Sequence, residues 1–229
     1  MSAKERVKKA FLMSIPVLTG YIFLGIGFGL VLDSKGYGTL WAFAMGLFIY
    51  AGSMQYVAID LLTGGASLIS TALTTLMVNA RHLFYGISMI DKYKGAGKKK
   101  PYMIFALTDE TYSLVVSDNS GDKKLYFLIS LFNHVYWITG CTLGGLIGSV
   151  ISFNTEGIDF ALTALFVTVF VEQWLTTKNH LSAMIGVATT TLCLVIFGSG
   201  YFLIPSMIII TVLLTLLKKY TVEGENNNE

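Results

Sequence analysis

Two stretches without a single charged side chain set the limits on what this chain can fold into. Residues 181–217 form one, 37 residues long, and residues 125–155 form another, 31 residues long. A helix needs about 20 apolar residues to cross a bilayer, so both exceed the core helix of a soluble domain. The rest of the chain agrees. Hydrophobic residues make up 54% and charged residues 13%, roughly half the charge of an average soluble domain. Thirty bunched charges cannot cover a soluble surface of this size. A soluble enzyme, a disordered chain and a disulfide scaffold are excluded. The fold class is an all-α polytopic membrane protein. Cys141 and Cys193 both lie in apolar runs and read as small packing residues.

The apolar runs predict spans at 14–32, 40–59, 102–116, 125–147 and 158–175, with 181–217 long enough for two passes and divided at Gly198-Ser199-Gly200. Pro16 falls in the first turn of the first span, where proline is tolerated. Residues 2–13 read as an interfacial lead-in. The basic start followed by an apolar run resembles a signal peptide, but it has no cleavage pattern and reads as an uncleaved first helix. Residues 61–90 differ from the other runs: they open on Gly64-Gly65 and are interrupted by Asn79, Arg81 and His82.

Lysine and arginine mark the cytoplasmic side in short loops. Four precede the first span, five lie between Lys92 and Lys100, and Lys218 and Lys219 follow the last run. If all three clusters are cytoplasmic, 61–90 must enter and leave on one side, as a broken re-entrant pair with its turn near 79–82. The segment after Lys178 must do the same. About six full spans plus two broken or re-entrant segments result. A shift of 118 residues aligns Gly27 with Gly145, Leu47 with Leu165, Phe48 with Phe166, Gln55 with Gln173, Thr71 with Thr189 and Leu76 with Leu194. This predicts an inverted repeat of 14–90 and 132–208 within a single transmembrane domain, 1–217. Residues 101–117 form a linking helix and 218–229 a polar tail. Inverted repeats with broken helices are a transporter architecture with a midplane site.

Four constellations carry candidate chemistry. In Asn79-Ala80-Arg81-His82, the arginine is the only one after Arg6. A charge at membrane depth is costly and faces a cavity or a partner, whereas one at a helix end snorkels to the headgroups. Asn79 adds polarity beside it, and His82 is a proton-coupling candidate. Asp109 and Glu110, adjacent and midway along an apolar helix, point about 100° apart. One lines a cavity and the other binds a partner such as Arg81. His134 and Asn133 lie one turn from Trp137. Glu172 is a proton-coupling candidate or an interfacial acid near Lys178, and Gln55 and Gln173 either bind substrate or bridge helices. Gly25, Gly27 and Gly29 follow no strand and read as close helix packing.

Other chemistry is not encoded. The chain has no Walker A motif, no His or Cys cluster at metal spacing, and no G-x-S-x-G to activate Ser53 with His82 or His134. Catalytic residues, metals and cofactors are therefore not expected. Topology explains Lys98, Lys99 and Lys100 without nucleic acid.

The motifs Gly52-Ser53-Met54-Gln55-Tyr56, Asn79-Ala80-Arg81-His82-Leu83-Phe84-Tyr85-Gly86 and Thr108-Asp109-Glu110-Thr111 resemble those of the AzlC-type branched-chain amino acid permeases. The resemblance runs from about residue 10 to 217 in the order of apolar runs. It implies export of valine, leucine, isoleucine and sometimes methionine across the bacterial cytoplasmic (inner) membrane. It also implies a small separate membrane subunit of the AzlD type. The family is often labelled an ABC permease, and the lack of an ATPase motif offers that label no support. Polarity and depth then nominate Arg81, Asp109, Gln55, Asn79, Tyr85 and Trp137 for substrate, with Phe84 beside them in the apolar wall. His82, Glu110 and Glu172 are nominated for proton coupling. The expected protein is a proton-coupled secondary transporter with its N-terminus in the cytoplasm. The alternative is a non-transporting membrane-embedded enzyme or a structural subunit of a membrane complex. Buried charge with broken helices favours transport.

Overall fold

The computed structural model describes residues 1–150, 167, 170–171, 174–175, 179–198 and 202–217. The chain divides into two compact units, residues 1–162 and 163–229. All regular elements among the described residues are helical: α1 Ala3–Ser34, α2 Thr39–Phe48, α3 Gly52–Thr63, α4 Leu68–Val78, α5 Arg81–Met89, a 3-10 turn Gly97–Lys99, α6 Lys100–Phe105, α7 Asp109–Ser117, α8 Lys123–Val150, α9 Leu181–Phe197 and α10 Leu203–Leu216.

The first helix starts earlier than the hydropathy suggests. Ser2 caps it, its hydroxyl accepting from the Glu5 N–H at 3.2 Å while the Glu5 carboxylate accepts from the Ser2 N–H at 2.8 Å. This reciprocal pair satisfies two N–H groups that no helix can satisfy itself. One 32-residue helix therefore replaces the expected lead-in and span, and Pro16 lies in its interior and not in a first turn. Among the described residues α1 is the one helix long and apolar enough to cross a membrane.

Glycine brings α1 and α8 together. A Cβ on Gly25 would lie 2.8 Å from the backbone of Gly140 and Cys141, one on Gly140 would lie 2.7 Å from the Tyr21 carbonyl, and one on Gly148 would lie 2.8 Å from Asp33. Pairs 25/140, 29/144 and 33/148 advance together, so the two helices run parallel. This corrects the inverted repeat of 14–90 and 132–208. That repeat makes α1 and α8 equivalents, and inverted equivalents point in opposite directions.

Contacts along this pair give the direction of every other element in the unit. On α2, Thr39 lies against Gly145, and the Gly46 carbonyl accepts from His134 Nε2 at 3.3 Å, so α2 runs back along α8. The chain then reverses at residues 49–51. Tyr50, at φ 44, is buried with its ring 4.3 Å from His134 and 6.4 Å from Tyr21. A left-handed non-glycine residue costs about 1–2 kcal/mol, and this packing holds it. Further on, Tyr56 in α3 donates to the Leu24 carbonyl at 2.7 Å and packs on Phe28, so α3 returns in the direction of α1. The expected span 40–59 is thus a hairpin of two half-helices.

A second hairpin enters from the opposite end. Lys99 lies over Phe127, and Tyr102 and Phe105 contact His134, so α6 climbs along α8. Its partner α7 descends, from Thr108 beside Tyr21 to Asp118 beside Lys9. The expected linking helix 101–117 is therefore two helices meeting at 106–108, and Asp109 and Glu110 open α7 and do not sit midway along a helix. α4 ends at Val78 and α5 begins at Arg81, and α5 runs alongside α7 in the same direction. Arg81 pairs with Asp109, Ser88 with Tyr112, and Lys92 with the end of α7. The two hairpins thus fall at 39–63 and 100–117, and residues 61–90 hold the break between α4 and α5.

Both basic segments meet at one end of this unit. Lys9 Nζ lies 2.6 Å from the Asp118 carboxylate, Arg6 Nε lies 2.7 Å from that of Asp122, and Lys92 Nζ donates to the carbonyls of Val115, Val116 and Asp118. Burial alone would raise the pKa of Asp118, but the Lys9 ammonium and the hydroxyl and N–H of Ser120 hold it at about 2. A depressed carboxylate stabilises fully above its ordinary value of about 3.9, and the contribution is lost as pH falls through 2. Asp118→Asn is expected to cost roughly 1–2 kcal/mol at neutral pH, part of the pair being screened by solvent. It should also flatten the fall in thermal stability between about pH 4 and 2, as a melting series would read.

In the second unit α9 packs against α10. Its helix ends at Gly198, whose φ of 71 suits glycine, within the expected division.

Candidate functional site at the helix breaks

Lys9 and Tyr21 are twelve residues apart, so Tyr21 lies about 18 Å along α1 from the basic end. That is half the thickness of a bilayer with its interfaces. At this level the hairpin turns at 49–51 and 106–108 approach each other, with the Tyr50 and Phe105 rings 6.3 Å apart. The break between α4 and α5, at Asn79–Ala80, is at the same level.

Three helix starts supply the polar groups. Arg81 is the first residue of α5, Asp109 the first of α7 and Ser53 the second of α3. The Arg81 fork engages Asp109 side-on, Nε to Oδ1 at 3.0 Å and Nη2 to Oδ2 at 2.8 Å, and Nη2 also donates to the Ser53 hydroxyl at 3.3 Å. The two side chains are 42% and 40% exposed. A charge facing lipid costs about 3 kcal/mol, and here each charged side chain has the other as its partner. Tyr85 stacks on Tyr112 at 4.4 Å beside this pair and forms an aromatic wall.

A buried polar chain lies behind it. Tyr21 donates to Glu110 at 2.5 Å and shares a hydrogen bond with Thr108 at 2.7 Å. Thr108 caps α7 by accepting the Thr111 N–H, and Asn133 donates to the Thr111 hydroxyl at 3.0 Å. Trp137 donates to Gln55 Oε1 at 2.8 Å. The Tyr50 hydroxyl, Gln55 Nε2 and Asn133 Oδ1 are buried without hydrogen-bond partners. Orphaned groups at one level of a packed interior are costly and mark a place where polar ligands fit.

Of the residues nominated from sequence, Arg81, Asp109 and Tyr85 come together, with Asn79 at the break. Gln55 and Trp137 bond to each other in the buried layer, two residues on from Ser53. His82 Nδ1 lies 3.2 Å from the Asn79 carbonyl, a local contact. Glu110 faces Tyr21 and not the Arg81 fork. Glu172, Gln173 and the side chain of Phe84 lie outside what the structure describes. Tyr21, Tyr50 and Ser53 complete the site. Ser53 was legible inside its motif, whereas Tyr21 and Tyr50 gave no signal in an apolar background.

Known proteins bear on this geometry. The AzlC protein family profile matches residues 16–151. The branched-chain amino acid transport protein AzlC of Bacillus subtilis is 45% identical over 216 residues, covering 93% of this chain and 85% of that protein. An uncharacterized membrane protein of Haemophilus influenzae is 42% identical over 93% of this chain and 89% of its own. The inner membrane protein YgaZ of Escherichia coli is 27% identical over 69% and 67%. No solved structure matches.

Proposed function

The chain belongs to the AzlC family, and from that premise we propose that it exports branched-chain amino acids through the site where its two hairpins meet the break in α4–α5. The observation that carries this reading is the Arg81–Asp109 ion pair, about 40% exposed, beside the break between α4 and α5. A branched-chain amino acid is a zwitterion with an apolar body. Its carboxylate takes the guanidinium fork, assisted by the positive start of α3. Its ammonium takes Asp109, and the Tyr85–Tyr112 stack receives the side chain. Binding exchanges one ion pair for two, so neither charge is left bare. Opposed half-helices around such a site are the arrangement that alternating access uses. The test is counterflow of labelled leucine in proteoliposomes. Accumulation saturable by valine and isoleucine is expected, and no accumulation with folded protein overturns the reading.

Glu110 is proposed as the proton carrier, since Tyr21 supplies a hydrogen bond that can follow its protonation state. Glu110→Gln should retain leucine counterflow but lose acceleration by a pH gradient, and Tyr21→Phe should shift the pH profile. An unchanged gradient response in Glu110→Gln removes the glutamate from the mechanism.

The basic end is proposed to be cytoplasmic, by its lysines. A cysteine at Gly95 should then resist an impermeant thiol reagent in intact cells, and labelling from outside would reverse the orientation. A small AzlD-type subunit is proposed as partner. Gly144, Gly145 and Gly148 pack against α1 and α2. No residue of α4 is buried, and Leu68, Ile69 and Leu76 are exposed, which leaves that helix as the contact face.

A further inference from the structure

A cavity of about 160 Å³ lies away from the pair, at the basic end of the first unit. Gly86, Met89 and Ile90 line it from α5 and its end, Lys100 and Ile104 from α6, with Tyr93 between them. Its walls are apolar apart from Lys100. Tyr93 is 1% exposed, its hydroxyl beside Ser130. Ile90 and Ile104 are more than half exposed, so the cavity opens as a groove to the exterior. Lys100 lines it, and Lys94 and Lys98 lie in the same segment; none of the three makes an ion pair among the described residues, whereas Lys92 is consumed by the end of α7. A Cβ on Gly86 would meet nothing within 4 Å, so glycine there keeps the groove open without packing against a helix.

We propose that this groove binds one anionic phospholipid, its acyl chain along the α5–α6 walls and its phosphate on Lys100. The charge decides the occupant. A zwitterionic lipid or an apolar helix would fill the walls but leave the lysines uncompensated. Basic pockets beside membrane helices, on the side where lysines collect, recognise anionic headgroups in this way. The groove lies next to the α6–α7 hairpin, so a lipid seated there would brace its outer face.

The test is native mass spectrometry of the purified full chain with phosphatidylglycerol or phosphatidylcholine of equal chain length. One phosphatidylglycerol should be retained preferentially. Gly86→Leu fills the groove and should abolish retention. Lys100→Gln should lower the preference about fivefold, one lysine near a membrane surface contributing on the order of a factor of that size. Both variants should keep the wild-type melting temperature without lipid. Equal retention of the two lipids, or full retention by Gly86→Leu, overturns the proposal. So does displacement of the lipid by excess inorganic phosphate, which would identify a free-anion site, or loss of retention on adding a small partner subunit, which would identify a protein contact.

Discussion

Arg81→Lys is expected to lower leucine affinity about 10- to 100-fold while expression and melting stay near wild type. The lysine keeps the charge but loses the planar fork. A charge-assisted hydrogen bond contributes roughly 1.5–3 kcal/mol, and each 1.4 kcal/mol is tenfold in affinity. The competing account makes Arg81 a structural bridge to Asp109. At about 40% exposure, such a pair contributes no more than about 1 kcal/mol to folding. The two accounts separate in the double variant Arg81→Asp with Asp109→Arg. A bridge would be rebuilt, and transport with it. A substrate site would present its charges from the wrong helices, so the swap should fold without transporting. Binding of labelled leucine to purified protein, set beside a melting curve, reads both. A fully active swap would show that the arginine is scaffold.

Gly144→Leu is expected to abolish the folded protein in membranes, and Gly140→Leu to do the same. The added Cβ at 140 would lie 2.7 Å from the Tyr21 carbonyl and 3.1 Å from Gly25 Cα, and at 144 it would run into the Ile26 backbone. Overpacking against side chains costs about 1–3 kcal/mol because they can move. Here the obstacle is a helix backbone, so α1 and α8 must separate, and both hairpins take their positions from that pair. Gly20→Leu is the control: it lies on α1, the partner helix, with nothing within 4 Å, and should express normally. Size-exclusion profiles of the tagged protein distinguish the outcomes, and a monodisperse Gly144→Leu protein would refute this role of the glycines.

Gly25, Gly27 and Gly29 were legible before the structure as close helix packing, because three glycines at alternate positions in an apolar run make no sense as a nucleotide loop. The interruption at Asn79–Arg81 was legible too, since a charge in an apolar run has to be placed. The hairpin at 39–63 was not. Hydropathy reports burial in lipid and cannot distinguish one crossing from two half-helices that turn back. The residue at the turn is Tyr50, neither glycine nor proline, and tertiary contacts with Tyr21, Phe105 and His134 hold its left-handed backbone. The start of α7 was encoded and misread. Thr108 followed by Asp109 and Glu110 is a cap with an acidic first turn, but the apolar residues on both sides suggested a continuous helix. The parity argument from the lysines asked 61–90 to turn back, whereas the hairpins lie at 39–63 and 100–117. Its premise was that 40–59 crosses. One hairpin enters from each end of the first unit.

The most direct test of the site places a reporter beside the pair without altering it. Ser53→Cys puts a thiol within reach of Arg81, and the two native cysteines are buried. The rate of its modification by a small soluble thiol reagent is measured with leucine, with isocaproate, which lacks the ammonium, and with isoamylamine, which lacks the carboxylate. If the zwitterion sits between Arg81 and Asp109, leucine slows modification in proportion to its occupancy, and the two half-ligands do so only at far higher concentration. Modification at the same rate with and without saturating leucine, in protein that still transports it, would place the substrate elsewhere.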